Sequence, residues 1–167
     1  MGIWISGILT LMPKNLLKLI FSIGLCLLAG GVGSIFTASA IPTWYVTLNK
    51  PSFSPPNWIF APVWTSLYIL MGISLYLALS GKGKGEREKA VRIFGIQLVL
   101  NTVWSIIFFG WHNPLFALVD IVALWIAIVL TIKSFYKINK LAGQLLIPYL
   151  AWVSFASILN LMIVLLN

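Results

Sequence analysis

Five times along this chain, near residues 16–36, 58–80, 90–110, 115–136 and 144–166, about 20 consecutive residues pass with almost no charge. At 1.5 Å per residue each run covers about 30 Å, the thickness of a hydrocarbon layer. In lipid the backbone has no water to bond, so a spanning segment must satisfy its own amides, and runs of this length do so as helices. The pattern predicts an all-α integral membrane protein: a single domain over residues 1–167, built as a five-transmembrane-helix bundle. Composition agrees, since 60% hydrophobic against 8% charged residues is more apolar surface than a soluble core of this size can hide.

The segments between the runs differ in kind. Residues 1–15 form a short apolar leader with Trp4, broken by Pro13 and expected at the interface. Lys14, Lys18 and the Ala38-Ser39-Ala40 triplet also resemble the charged start and cleavage site of a removable signal, but the apolar run between them is longer than such signals use. Residues 37–57 carry Pro42, Pro51, Pro55 and Pro56, which forbid a continuous helix. That loop is nonetheless aromatic and nearly uncharged, and it passes into the second run without a polar pause (WYVTLNKPSFSPPNWIFAPVWTSLYILM from Trp44 to Met71). Such a loop is poorly suited to open water and reads as a lid between helices 1 and 2, closing an aromatic cavity. Residues 81–88 (GKGKGERE) read as a solvated flexible linker, Trp111-His112-Asn113-Pro114 as a tight turn, and residues 137–143 as the last return.

The net charge of +8 is explained by where the basic residues lie. Lys14, Lys18, Lys82, Lys84, Arg87, Lys89, Arg92, Lys133, Lys137 and Lys140 share one side of a five-span chain, and Lys50 stands alone on the other. The bias predicts a cytoplasmic N-terminus and a lid outside the cell membrane. No phosphate loop, basic recognition helix or RNA-binding aromatic motif is present, so nucleic acid is not an expected partner. The single Cys26 excludes an internal disulfide, and one histidine with no clustered carboxylates gives no common metal site and no hydrolytic triad.

Helix rise sets the depth of the polar and indole groups. Trp64 falls roughly 9 Å and Tyr68 about 15 Å below the outer face, Trp104 roughly 9 Å and Asn101 about 13 Å, and Asp120 and Asn160 roughly 8 to 10 Å. Trp152 lies deeper. Polar groups at such depths are costly against lipid, so Gln97, Asn101, Asp120 and Asn160 should point into the bundle, Asp120 toward backbone or indole donors. Trp44, Trp58 and Trp111 fall at the boundary, where an aromatic belt is ordinary; Trp64, Trp104 and Trp152 are too deep for that.

Trp44-Tyr45, Lys50-Pro51, Pro55-Pro56, Pro62-Val63-Trp64, Leu67-Tyr68 and Met71-Gly72 closely resemble the translocator protein family, also called tryptophan-rich sensory proteins. Gln97 through Asn101, Trp104, Phe108-Phe109-Gly110 and Ala117-Leu118-Val119-Asp120 continue the likeness. Pro148 to Trp152, Phe155-Ala156 and Leu159-Asn160 complete it. The resemblance implies a homodimeric bundle whose lidded pocket accepts porphyrins such as protoporphyrin IX or haem as ligands, with no required cofactor. It also implies affinity for isoquinoline carboxamide and benzodiazepine-type compounds. By the same resemblance the ligand contacts are Tyr45, Trp58, Ala61, Trp64, Tyr68, Asn101, Trp104, Trp152, Ala156 and Asn160, with Lys50 meeting a propionate. Some bacterial members promote light-dependent porphyrin breakdown, and Trp64 and Trp152 are the residues that would serve it here. The cholesterol motif of animal members is missing: Asn160 is followed only by LMIVLLN, and the loose match at Leu130, Tyr136 and Lys140 is of a kind frequent at helix ends. Cholesterol is therefore not an expected ligand.

Overall fold

The computed structural model describes residues 14–81 and 83–167. The expected interfacial leader therefore lies almost entirely outside the described residues. The helices are α1 (Lys14–Ala40), α2 (Phe60–Leu79), α3 (Lys84–Ser105), α4 (Pro114–Ile138), α5 (Lys140–Gln144) and α6 (Ile147–Leu166). A π-helical turn, Ile106–Gly110, prolongs α3. Among the described residues five segments are long and apolar enough to cross a membrane, α5 and α6 together making the fifth, and none is a strand.

Packing follows where side chains are small. A Cβ on Gly72 of α2 would overlap the backbone of Ile23, and this missing atom lets α1 and α2 cross in contact. Around the bundle, α1 lies against α2 and α3, α3 against α4, and α4 against α6. Between α6 and α2 the ring closes through aromatic side chains: Phe60 on Trp152 at 6.2 Å and Trp64 on Tyr149 at 6.3 Å between centroids. The half of the bundle away from the lid is filled by Met71, Leu75, Phe94, Leu124, Ile128 and Phe135, with the Phe94 and Phe135 rings stacked at 5.5 Å. Two helix starts are capped by asparagine: Asn113 accepts from Phe116 N at 3.0 Å ahead of Pro114, and Asn139 accepts from Ala142 N at 3.1 Å.

Three boundaries depart from the sequence reading. Helix α1 runs on to Ala40, so the lid is shorter than residues 37–57. The linker is helical from Lys84: Gly83, at φ +90, turns the chain, and Arg87 N then donates to Gly83 O at 3.1 Å. The last return is helical too, because Asn139 is both the stop of α4 and the cap of α5, and Ser74 Oγ donates to Ala142 O at 2.6 Å, fixing α5 against α2.

The lid is held along its length. Trp44 stacks on His112 of the α3–α4 turn at 4.5 Å, and Tyr45 is buried against Phe60, Phe108 and Phe109. Its far end is clasped to the end of α6, where Asn49 N donates to Asn167 Oδ1 at 2.9 Å and Asn167 Nδ2 donates to Asn49 O at 3.0 Å.

Candidate functional site

Beneath the lid lies a cavity of about 420 Å³, within the size range of small-molecule sites. Its aromatic walls are Trp64 and Tyr68 from α2, Trp104 from α3, Trp152 from α6, and Phe60, Phe108 and Phe109 near the roof, where Tyr45 closes it. α1 contributes the small residues Gly30, Gly31, Ser34 and Ala38 to the lining. Ala61 and Ala156 are also on the wall; their size leaves room where a larger residue would fill it.

The rings are fixed by one another. Trp64 stacks on Tyr68 at 5.7 Å and 29°, and Trp104 on Phe108 at 5.1 Å and 23°. Trp152 is wedged between Phe60 and Phe155, at 6.2 Å and 5.6 Å. Such pairs are worth about 0.5–1.5 kcal/mol each beyond area burial, enough to hold a preformed wall.

The polar groups divide into engaged and free. Asn160 is on the wall, yet its Oδ1 accepts from Trp104 Nε1 at 3.1 Å and its Nδ2 donates to Pro114 O at 2.8 Å. Both ends of that amide are committed to tying α3, α4 and α6 together. Lys50 is committed as well, donating to Tyr45 O at 2.8 Å with its ammonium 4.7 Å from the Tyr45 ring centroid. Burial pushes the Tyr45 phenol above the ordinary tyrosine range, so it stays neutral. Trp152 Nε1, by contrast, is buried without a hydrogen-bond partner among the described residues.

Eight of the ten expected contact residues thus line the cavity: Tyr45, Ala61, Trp64, Tyr68, Trp104, Trp152, Ala156 and Asn160. Two do not. Trp58 sits in a 3-10 turn before α2 with 73% of its surface exposed, turned outward as a boundary tryptophan. Asn101 is 1% exposed and lies behind the wall, taken up by Tyr68 and Tyr149. Sequence reasoning missed Phe60 and the small residues Gly30, Gly31 and Ser34 of α1. Among the remaining deep polar groups, Gln97 is buried as expected, whereas Asp120 is half-buried and its Oδ2 has no partner among the described residues. No three His, Cys, Asp or Glu side chains gather among the described residues to hold a metal.

Comparison with known proteins agrees with this architecture. The model of the TspO/MBR family matches residues 22–166. The chain is 52% identical to the Tryptophan-rich protein TspO of Chlorobaculum tepidum over 157 residues, covering 93% of this chain and 99% of that protein. It is 53% identical to the protein of the same name from Archaeoglobus fulgidus, with 92% and 99% covered. With the Translocator protein of Homo sapiens it shares 43% identity over 132 residues, 77% of this chain and 78% of the human one. A match across nearly the whole bundle, with a lidded aromatic cavity inside it, means that this chain is an integral membrane protein belonging to the TspO/MBR family.

Proposed function

We propose that this protein binds porphyrins, protoporphyrin IX or haem, in the cavity under the lid, as a tetrapyrrole sensor or carrier of the cell membrane. The observation that carries the reading is the wall itself: indoles from α2, α3 and α6 around one apolar hollow. A planar macrocycle gains by stacking on such rings and by leaving water or lipid for a preformed slot. It also carries carboxylate oxygens at one edge of its flat aromatic body. Isoquinoline carboxamides have the same features, a flat aromatic body and a carbonyl, and compete for the same space.

Protein in lipid nanodiscs titrated with protoporphyrin IX tests this. Tryptophan fluorescence is expected to be quenched saturably, and Trp64→Ala with Trp152→Ala to weaken binding at least about tenfold, the loss of two stacked ring contacts. Unchanged affinity in that double variant overturns the site.

A further inference from the structure

Tyr68 lines the cavity, and what holds Tyr68 lies outside it. Its hydroxyl donates to Asn101 Oδ1, and Asn101 Nδ2 donates to the hydroxyl of Tyr149 at 3.0 Å. The two tyrosines come from α2 and α6, and the amide that joins them comes from α3. Both rings then press on the same indole: Trp64 stacks on Tyr68 at 29° and meets Tyr149 edge-on at 67°. On its other side the Tyr68 ring lies where a Cβ of Gly30 would be, so α1 closes the remaining space. One buried amide therefore fixes two phenols, and the two phenols fix the plane of the tryptophan that a ligand meets.

We propose that Asn101 is a positioning residue for ligand recognition. It makes no contact with the ligand, and it acts through the hydroxyls of Tyr68 and Tyr149 to set the plane of Trp64 and the depth of the cavity floor. The assignment departs from a direct ligand contact at this asparagine, and it rests on the ligand reading given above for its binding readout. An amide suits the role because it accepts at one end and donates at the other, so two hydroxyls can be held at once by a side chain without charge. A leucine of similar size would fill the space and leave both hydroxyls without that partner.

The test is a mutant cycle read by protoporphyrin IX affinity and by the circular dichroism induced in the bound porphyrin, which reports its pose. Tyr68→Phe and Tyr149→Phe keep the rings and remove the hydroxyls; each is expected to weaken binding about threefold to tenfold, the scale of one hydrogen bond. Asn101→Leu is expected to match the double Tyr→Phe variant in both affinity and induced signal. Added to that double variant it should change affinity by less than about twofold, because the interaction it removes is already gone. If Asn101 touches the ligand, Asn101→Leu costs the same factor in both backgrounds, and the proposal fails. If all variants melt at lower temperature while affinity and induced signal stay at their original values, the triad is only structural, and the proposal also fails. A readout without ligand separates this from the binding reading: fluorine NMR of protein labelled with 5-fluorotryptophan, the Trp64 resonance assigned by Trp64→Phe. That resonance is expected to shift in Asn101→Leu and in the double Tyr→Phe variant alike. An unmoved resonance overturns the proposal even where porphyrin binds, and absence of porphyrin binding by the unaltered protein overturns the ligand reading while the resonance still tests the floor.

Discussion

Single atoms decide how closely this bundle can close. A Cβ at Gly30 would overlap the Tyr68 ring, whereas one at Gly24, two turns earlier on α1, would meet nothing within 4 Å. Gly30→Ala is therefore expected to destabilise by about 1–3 kcal/mol, the usual cost of overpacking, and to displace the cavity floor. Gly24→Ala should be neutral or slightly stabilising, because alanine is the better helix former. Thermal unfolding of the two variants in detergent, followed by circular dichroism, checks the contrast; equal effects would contradict it. Asn160 makes a second case, since its amide spans Trp104 and Pro114 before any ligand arrives. Asn160→Leu leaves the Trp104 indole without its acceptor and should cost about 1–3 kcal/mol of stability, measured in the same way. These residues also show the reach of sequence reasoning. Depth along a helix axis is arithmetic, so the common level of Trp64, Trp104 and Asn160 is legible. The direction in which a side chain points is not, because spans that are apolar on every side carry no stripe to reveal it. Trp58 turned outward and Asn101 turned behind the wall differ from the expectation in direction, not in depth.

At the scale of elements, the proline-rich segment behaves as a lid because its two ends are tied to different parts of the bundle. Trp44 is stacked on the α3–α4 turn and Asn49 is bonded to Asn167, which follows the last residue of α6. Asn167→Ala removes two of the side-chain bonds at that clasp, including the one to Asn49 O. Amide hydrogen exchange across residues 41–56 is expected to rise about fivefold or more in this variant, the scale of one lost bond, while the helices keep their protection. Unaltered exchange would mean that the Trp44 and Tyr45 contacts alone hold the lid. The lid, the helical spans and the α3–α4 turn are legible from proline, glycine and apolar runs. The helical start at Lys84 and the short α5 are not, for a physical reason: residues 84–88 and 140–144 are polar enough to read as loops and become helical because each caps or prolongs a helix the bundle already holds. The π-helical turn at Ile106–Gly110 is equally hidden, and it matters because it carries Phe108 and Phe109, both of which line the cavity.

For the whole molecule the informative quantity is the ratio of charges at its two ends. By sequence order ten basic residues fall on one side of a five-span chain and one on the other, and this bias predicts that the reverse insertion is unfavourable, since each Lys or Arg resists transfer across the bilayer. The clasp between Asn49 and Asn167 independently puts the lid and the end of α6 on one side, as five crossings require of a lid after the first and a terminus after the fifth. Cys26 is fully buried, so single cysteines placed elsewhere report topology without removing it. Ser52 in the lid and Glu86 at the start of α3 are both exposed. With a membrane-impermeant maleimide, Ser52→Cys is expected to react in intact cells, and Glu86→Cys only after the membrane is opened. The opposite pattern would invert the protein in the bilayer and put the cavity mouth in the cytoplasm. Equal labelling of both sites in intact cells would mean two orientations, which a ten-to-one bias should not permit; the lid would then no longer face a single compartment, and a ligand could be drawn from either side.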